Sequence, residues 1–546
     1  MLLNKSTTLL PLSTALPLLC LSLIILRHLR QRLSRRRFRL QNGCLDPASL
    51  APVRDPILGL DFISDAILPR RKRESYLDSS LRAFRQLGPT YAEKRWSWEV
   101  LYTCDAVNIK HMLSGAAFGD FALPSLRKAA VGSFLGRGIF ALDGSEWMAA
   151  RAALRTALGR LDGQGQMLES LERHFKASVL DESVDGSGDE VVVHLQSLFF
   201  RLTMDFAGDF LMGIGENLSS EETFLQDYTT CSKEVVKRLR LGPLQHLRFC
   251  LGGTLGAKRR LYRRLAAVTV DDGLLRDQLL HMLVASRDTT ACVLSNLFFV
   301  LARHPDVYAR LREDVMAVVG DEGVPPTVVQ LRQMRYLRWC VNESLRLHPP
   351  IPTNAREATR DTTLPRGGGP DGNSPLLVRK GVVVMYNVYA LHRQEPVFGT
   401  RPEAFEPERW MNLRPGWAFL PFSGGPRVCI GQQLALTEIQ YVVARMAQTF
   451  ETIDGRGERD WVGVDALATT CRDGVKPLSS SSSYLKLIVK ASTPTERHRL
   501  EEQCPTDDGR YNVSGRSALD NDGNEKSLFD NALQPAYFKL LPDMSV

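Results

Sequence analysis

Between Leu9 and Leu26 the chain reads LLPLSTALPLLCLSLIIL, eighteen residues without a charge. As a helix rising about 1.5 Å per residue, this run reaches roughly 27 Å, enough to cross a thin bilayer such as that of the endoplasmic reticulum. Its direction follows from what comes next. Arg27, Arg30, Arg32, Arg35, Arg36, Arg37 and Arg39 follow with no acid among them, and positive flanks stay cytoplasmic. A cleaved signal peptide carries its positive charge before the apolar run, not after it. The pattern predicts a luminal stub over 1–8, a single transmembrane anchor over 9–26, and a cytosolic body held at that membrane. Pro11 and Pro17 fall inside the run, which membrane helices tolerate.

The same arginines account for nearly all of the formal charge of +8. The near-neutral remainder offers no basic face for nucleic acid, so no nucleic-acid partner is expected. Ten cysteines without a CxxC pair suit a reducing compartment. At 44% hydrophobic and 24% charged, the 546 residues can bury a large core.

Residues 27–60 read as a basic flank and a proline-bearing linker, and 61–492 as the body. Apolar spacing at i, i+3 and i+4 predominates to about residue 350. It is clearest from about Asp272 to Arg303, where Leu275, Leu279, Met282, Leu283, Leu294, Leu297, Phe298 and Leu301 keep register until His304-Pro305. Between Pro349 and Tyr389 the pattern changes to short β-type runs around RGGGPDGNSP. A Gly/Pro loop over 419–431 then leads into a helical stretch to about Phe450. Residues 493–546, with ten acids against six bases, read as a polar tail. The expected class is mainly α with a smaller β region.

The chemistry gathers around one cysteine. Cys429 lies in Phe422-Ser-Gly-Gly-Pro-Arg-Val-Cys-Ile-Gly431, a glycine-rich loop running into a helix. Glycines let the backbone approach a flat ligand, and a helix N-terminus lowers a thiol pKa. Such a thiolate is a soft ligand for iron, although a structural cysteine in a turn has the same local appearance. Glu343 and Arg346 stand at i and i+3 on one helix face, and Arg409 and Trp410 end the run Phe405-Glu-Pro-Glu-Arg-Trp. Ala285-Ser-Arg-Asp288-Thr289-Thr290 places an acid and hydroxyls inside the long apolar helix, where they compete with the backbone. Trp147 and Arg151 lie one helical turn apart, able to meet an anion together.

These five elements, in this order, resemble the cytochrome P-450 family of haem-thiolate monooxygenases over roughly residues 45–490. The cysteine loop fits the family's F-x-x-G-x-R-x-C-x-G pattern at Phe422, Gly425, Arg427, Cys429 and Gly431. The resemblance implies the P-450 fold with haem b, and Cys429 as the proximal iron ligand. It implies that Trp147, Arg151, Arg427 and Arg356 bind the haem propionates, and that Glu343, Arg346 and Arg409 form a structural charge triad. Asp288 and Thr289 would serve the oxygen side, Thr289 hydrogen-bonding the bound oxygen and Asp288 relaying protons. No GxGxxG follows a strand, so electrons would come from a separate NADPH–cytochrome P-450 reductase, docking on a basic face near Cys429.

Asn42-Gly-Cys44, Leu58-Gly-Leu-Asp61, Leu274-Leu-Arg-Asp-Gln-Leu-Leu280 and Leu364–Gly372 resemble the fungal branch that hydroxylates n-alkanes and fatty acids. A lipophilic aliphatic substrate is therefore expected. The alternatives are a tailoring step on a polyketide- or terpenoid-like lipophile, a haem-thiolate enzyme using no external electrons, and an inactive membrane-tethered relative. Two departures bear on the last. Ser286 stands where the family usually has glycine. Residues 241–271 leave little room for a substrate lid, and their segment Gly252–Arg264 is strongly basic.

Overall fold

The computed structural model describes residues 12–55, 75–94, 98–160, 164–180, 190–213, 218–241, 254–266, 273–320, 324–456, 461–464, 466–471 and 486–491. The expected tail over 493–546 lies outside them. The longer helices are α1 (Leu12–Gln41), α2 (Tyr76–Leu87), α3 (Ala106–Leu113), α4 (Ser125–Leu135), α5 (Gly144–Arg160), α6 (Gln164–Phe175), α7 (Leu195–Phe206), α8 (Glu222–Leu241), α9 (Thr254–Ala266), α10 (Gly273–Leu301), α11 (Pro305–Val319), α12 (Arg335–Leu347) and α13 (Gln432–Thr449).

The centre is α10. From Thr290 to Leu301 every residue is buried, so the helix is apolar on all sides over its second half and must run through the core rather than along it. It packs against α7, α12 and α13. Pro305 at the first turn of α11 cannot donate a backbone hydrogen bond, which separates the two helices at the place the sequence indicates. A second apolar cluster, around Phe134, Met204, Leu211, Phe224, Tyr228, Leu280, Leu283 and Val284, joins α4, α7, α8, α9 and the first half of α10.

A five-stranded sheet stands beside the helices in the order β1 (Thr90–Lys94), β2 (Glu99–Thr103), β8 (Val383–Asn387), β5 (Thr353–Ala358), β3 (Phe121–Ala122). Only β2 and β8 run parallel. β6 (Thr362–Gly368) and β7 (Ser374–Val378) form the hairpin that contains the turn-rich run, and β4 (Glu190–His194) belongs to a separate three-stranded sheet. β1 and β2 fall where helical spacing predominates in the sequence. At five residues each, they are too short for their alternation to stand out among longer helices.

Two further segments differ from expectation. The stretch read as a basic flank and linker is helical to Gln41, and beyond it the backbone is tied to the sheets. Leu45 N–H donates to Pro375 O at 2.9 Å, Ala48 N–H to Gly367 O at 2.9 Å and Ala51 N–H to Ala92 O at 2.8 Å. These are isolated bridges, which leave no periodic signature. The basic segment after Gly252 forms α9, so the lid region does hold a helix, packed on α8. Among the described residues no helix is long and apolar enough to cross a membrane. The expected span, 9–26, lies partly outside them.

Candidate active site and cofactor site

The loop before α13 is shaped by two residues with positive φ, Ser423 at 62° and Gly425 at 66°. A Cβ on Gly425 would fall 1.9 Å from Leu113 O, so only glycine fits. Within the loop Val428 N–H donates to Gly425 O at 3.0 Å and Cys429 N–H to Phe422 O at 2.9 Å. Phe422 packs on the central core. Gly431, by contrast, has open space where a side chain would point. The Cys429 side chain is exposed. Enough protein surrounds the thiol that desolvation still pushes its pKa up, opposed by the Gly431 amide and Arg151. The sulfur is therefore reachable, and a bound metal would supply the charge that completes its ionisation.

Next to the loop stands an excess of arginine. Arg427 donates to Leu142 O at 3.1 Å and Asp143 Oδ1 at 2.6 Å, with its guanidinium 4.2 Å from the Trp147 ring centroid. Arg151 lies 5.7 Å from the same centroid and donates to Val428 O at 2.8 Å. Arg356, buried, donates to Ala355 O at 2.8 Å, and Arg127 donates to Asn354 Oδ1. Burial first, then Arg356, pushes Arg127 down to about 10. Arg427 also falls to about 10, mainly by burial, with Arg356, Arg127 and Arg151 outweighing part of the support from Asp143. Asp143 is shared further with Lys128 at 3.2 Å. Guanidiniums crowded in this way are suited to a ligand with more than one carboxylate.

Behind the loop, Glu343 and Arg346 are fully buried on α12 and paired through two bonds of 2.8 and 2.9 Å. Glu343 also accepts from Arg409 Nε at 2.8 Å, Trp410 Nε1 at 2.9 Å and Glu406 N–H at 3.0 Å. Arg346 donates onward to His392 O at 3.0 Å and Ala404 O at 3.0 Å. His392 closes the connection to the cysteine loop. Its Nδ1 lies 3.2 Å from Arg346 O, and its Nε2 accepts from Leu420 N–H at 2.8 Å. Burial holds this imidazole neutral, pushed down to about 3.

On α10 the hydroxyls of Thr289 and Ser286 are turned to their own helix. Thr289 donates to Ala285 O at 2.6 Å, and Ser286 to Met282 O at 3.0 Å. Asp288 is not bonded to Thr289. Its Oδ1 accepts from Arg287 at 2.7 Å and its Oδ2 from Tyr228 OH at 3.0 Å, so it faces α8. On α13, which packs against α10, burial pushes the Glu438 carboxyl well above the usual range.

Sequence reasoning missed Arg127, Asp143, Arg287 and Tyr228. Asp143-Gly144 before Trp147 carries a helix-start signal that could have found the acid. Arg287 stands inside the Ala285–Thr290 element, beside the acid it pairs with, whereas Arg127 and Tyr228 stand in no motif. A surface groove lined by Glu172, Lys176, Pro325, Val329 and Tyr441 contains none of the site residues.

Among the described residues no group of three or more His, Cys, Asp or Glu could hold a metal ion. An iron bound at Cys429 must therefore bring its other ligands, and a macrocycle with two carboxylates would find the arginines beside it. That chemistry is haem of the thiolate-ligated class. Comparison with known proteins leads to the same class. The sequence profile described as Cytochrome P450 matches residues 263–461. The chain is 38% identical over 475 residues to cytochrome P450 monooxygenase himC of Aspergillus japonicus, covering 80% of this chain and 84% of that one. It is 35% identical over 483 residues to cytochrome P450 monooxygenase FPY7 of Fusarium mangiferae, covering 81% and 91%. To cytochrome P450 52A13 of Debaryomyces hansenii it is 37% identical over 430 residues, covering 69% and 80%. The chain belongs to the cytochrome P450 family. It is a monooxygenase of that family, an oxidoreductase using haem on a cysteine thiolate and electrons from a reductase.

Proposed function

We propose that this chain hydroxylates a lipophilic substrate, of long-chain aliphatic or fatty-acid type, while anchored to the endoplasmic reticulum membrane by 9–26. The observation that carries the substrate class is the apolar cluster immediately ahead of Asp288 and Thr289. Phe134, Leu211, Leu283 and Val284 build it, and at its edge the Asp288 carboxylate is taken up by Arg287 and Tyr228. A polar substrate would find little to bond there. The anchor reading is supported by Leu21, Leu23, Ile24, Ile25 and Leu26, which are about half exposed on one helix.

In this reading Cys429 would hold the haem iron through its thiolate. Arg127, Arg151, Arg356, Arg427 and Trp147 hold the haem carboxylates. Gly425 shapes the loop, Gly431 leaves the ring room, and Phe422 packs the loop on the core. Glu343, Arg346 and Arg409 clamp the segment leading into it. Bound there, haem supplies the activation of O2 that puts one oxygen atom into substrate and releases the other as water. Thr289 offers a hydroxyl that can turn from Ala285 O toward the oxygen side, and Asp288 exchanges protons at Oδ2, where Tyr228 now donates. Arg151 and exposed Arg155 present positive charge near Cys429 to an acidic partner, NADPH–cytochrome P-450 reductase.

The test is a carbon monoxide difference spectrum of reduced microsomes carrying the full chain and its Cys429→Ser variant, followed by turnover with reductase. The wild type should give the thiolate-type Soret band and the variant should not. Fatty acids and n-alkanes should give hydroxylated products. Turnover of terpenoid or polyketide lipophiles alone would overturn the aliphatic reading, and absence of the thiolate band in the wild type would overturn the enzyme reading.

A further inference from the structure

The chain from Ser133 to Phe140 is held by its neighbours through its backbone. Two side chains of α9 reach the carbonyls at the end of α4. Lys258 Nζ donates to Ser133 O at 2.8 Å and Tyr262 OH to Phe134 O at 2.9 Å, carbonyls of a last turn that lacks intrahelical partners. Three side chains of α10 take the amides that follow. Asp277 Oδ2 accepts from Arg137 N–H at 2.7 Å, Gln278 Oε1 from Ile139 N–H at 3.3 Å, and His281 Nδ1 from Phe140 N–H at 3.1 Å.

Glycine makes this approach possible. A Cβ on Gly136, at φ +73°, would fall 2.0 Å from Asp277 Oδ2, and one on Gly138 would fall 2.3 Å from His281 Cδ2. Asp277 and His281 are themselves buried, and the Phe140 ring stacks on His281 with centroids 5.2 Å apart. Past Phe140 the same strap reaches the arginines, through Leu142 O and Asp143, before entering the helix that carries Trp147.

We propose that Asp277 and His281 are positioning residues for the cofactor edge: by holding the strap's amides they set Asp143 and Trp147 against Arg427. The helix that carries Asp288 and Thr289 and the arginines that face the haem carboxylates then share one frame. The proposal rests on the haem reading above. It gives a role to Leu274-Leu-Arg-Asp-Gln-Leu-Leu280, whose Asp277 and Gln278 bond the strap. It also gives one to the short basic lid helix α9, which holds the strap's entry through Lys258 and Tyr262.

Asp277→Leu removes the acceptor at similar volume, Asp277→Asn keeps one carbonyl oxygen, and Gly138→Ala crowds the neighbouring His281 contact from the strap. Full-length proteins would be compared by hydrogen exchange over 136–143, by haem transfer to apomyoglobin, and by midpoint potential. Asp277→Leu and Gly138→Ala should both lose exchange protection in the strap, release haem roughly tenfold faster, as loss of one buried hydrogen bond allows, and shift the potential. Asp277→Asn should stay close to wild type. Lost strap protection with unchanged haem release and potential would overturn the proposal, as would an Asn variant as impaired as Leu. Should Asp277→Leu not fold, Gly138→Ala and His281→Gln decide by the same readouts. A wild type without the thiolate-type carbon monoxide band would instead refute the haem reading.

Discussion

Replacing Glu343 by glutamine is the sharpest test of what holds the cysteine loop. The carboxylate is fully buried and accepts two bonds from Arg346, one from Arg409, one from Trp410 and one from the Glu406 amide. The side-chain amide that Glu343→Gln introduces would keep one acceptor and turn the other oxygen into an N–H2 group facing donors. Two guanidiniums would then lose their shared counter-charge, and burial already pushes the Arg346 pKa down despite Glu343. Removing one partner of a buried pair costs about 3–5 kcal/mol. Arg346 keeps carbonyl partners at His392 and Ala404, and Glu406 still reaches Arg409 at 3.0 Å, so the lower end applies. About 3 kcal/mol is a large part of the 5–15 kcal/mol that holds a domain together. Urea unfolding of the full chain in detergent, followed by circular dichroism, measures the loss. The reduced carbon monoxide spectrum should at the same time lose thiolate-type signal, because the Arg346–His392–Leu420 connection loosens. A Glu343→Gln protein within about 1 kcal/mol of wild type, with its spectrum intact, would refute the reasoning.

The buried arginines and the acid limb supply two further expectations. Arg127→Leu should remain folded, because it relieves like-charge crowding with Arg356, yet lose haem to apomyoglobin faster by roughly tenfold; unchanged retention would remove Arg127 from the cradle. His281 has its pKa pushed down to about 4 by burial, so between about pH 6.5 and 4 the unfolded chain binds a proton that the folded one does not, and stability falls as pH drops through that window. The contribution is roughly 3 kcal/mol in full and about 2 kcal/mol by pH 5. His281→Gln should flatten the pH 7 to pH 5 difference in urea midpoint by that amount, and an unaltered difference would refute the assignment.

The residues legible in the sequence share a property: each belongs to a pattern closed within a few positions. Glu343 and Arg346 are i and i+3 on one helix, Trp147 and Arg151 i and i+4, and Cys429 sits in a loop whose Gly425 answers a backbone approach by Leu113 O. Their spacing is the constraint, so it can be read without coordinates. α10 was legible for the same reason, since its apolar run repeats until Pro305 breaks it. Arg127, Tyr228 and Asp143 have their partners in Asn354, Asp288 and Arg427, on elements far away in the chain. A contact between distant segments imposes no period on either one.

Gly136 and Gly138 show the limit most plainly. In sequence they read as ordinary loop glycines, because what requires them is written elsewhere, in Asp277 and His281. Nothing in the sequence marks those two as holders of the strap, since the strap presents only backbone and places no demand on side-chain chemistry beyond the two missing Cβ atoms. A main-chain contact of this kind constrains one segment to be glycine and the other to be an acceptor. Neither residue type is rare enough in its place to announce the other, and only the fold joins them.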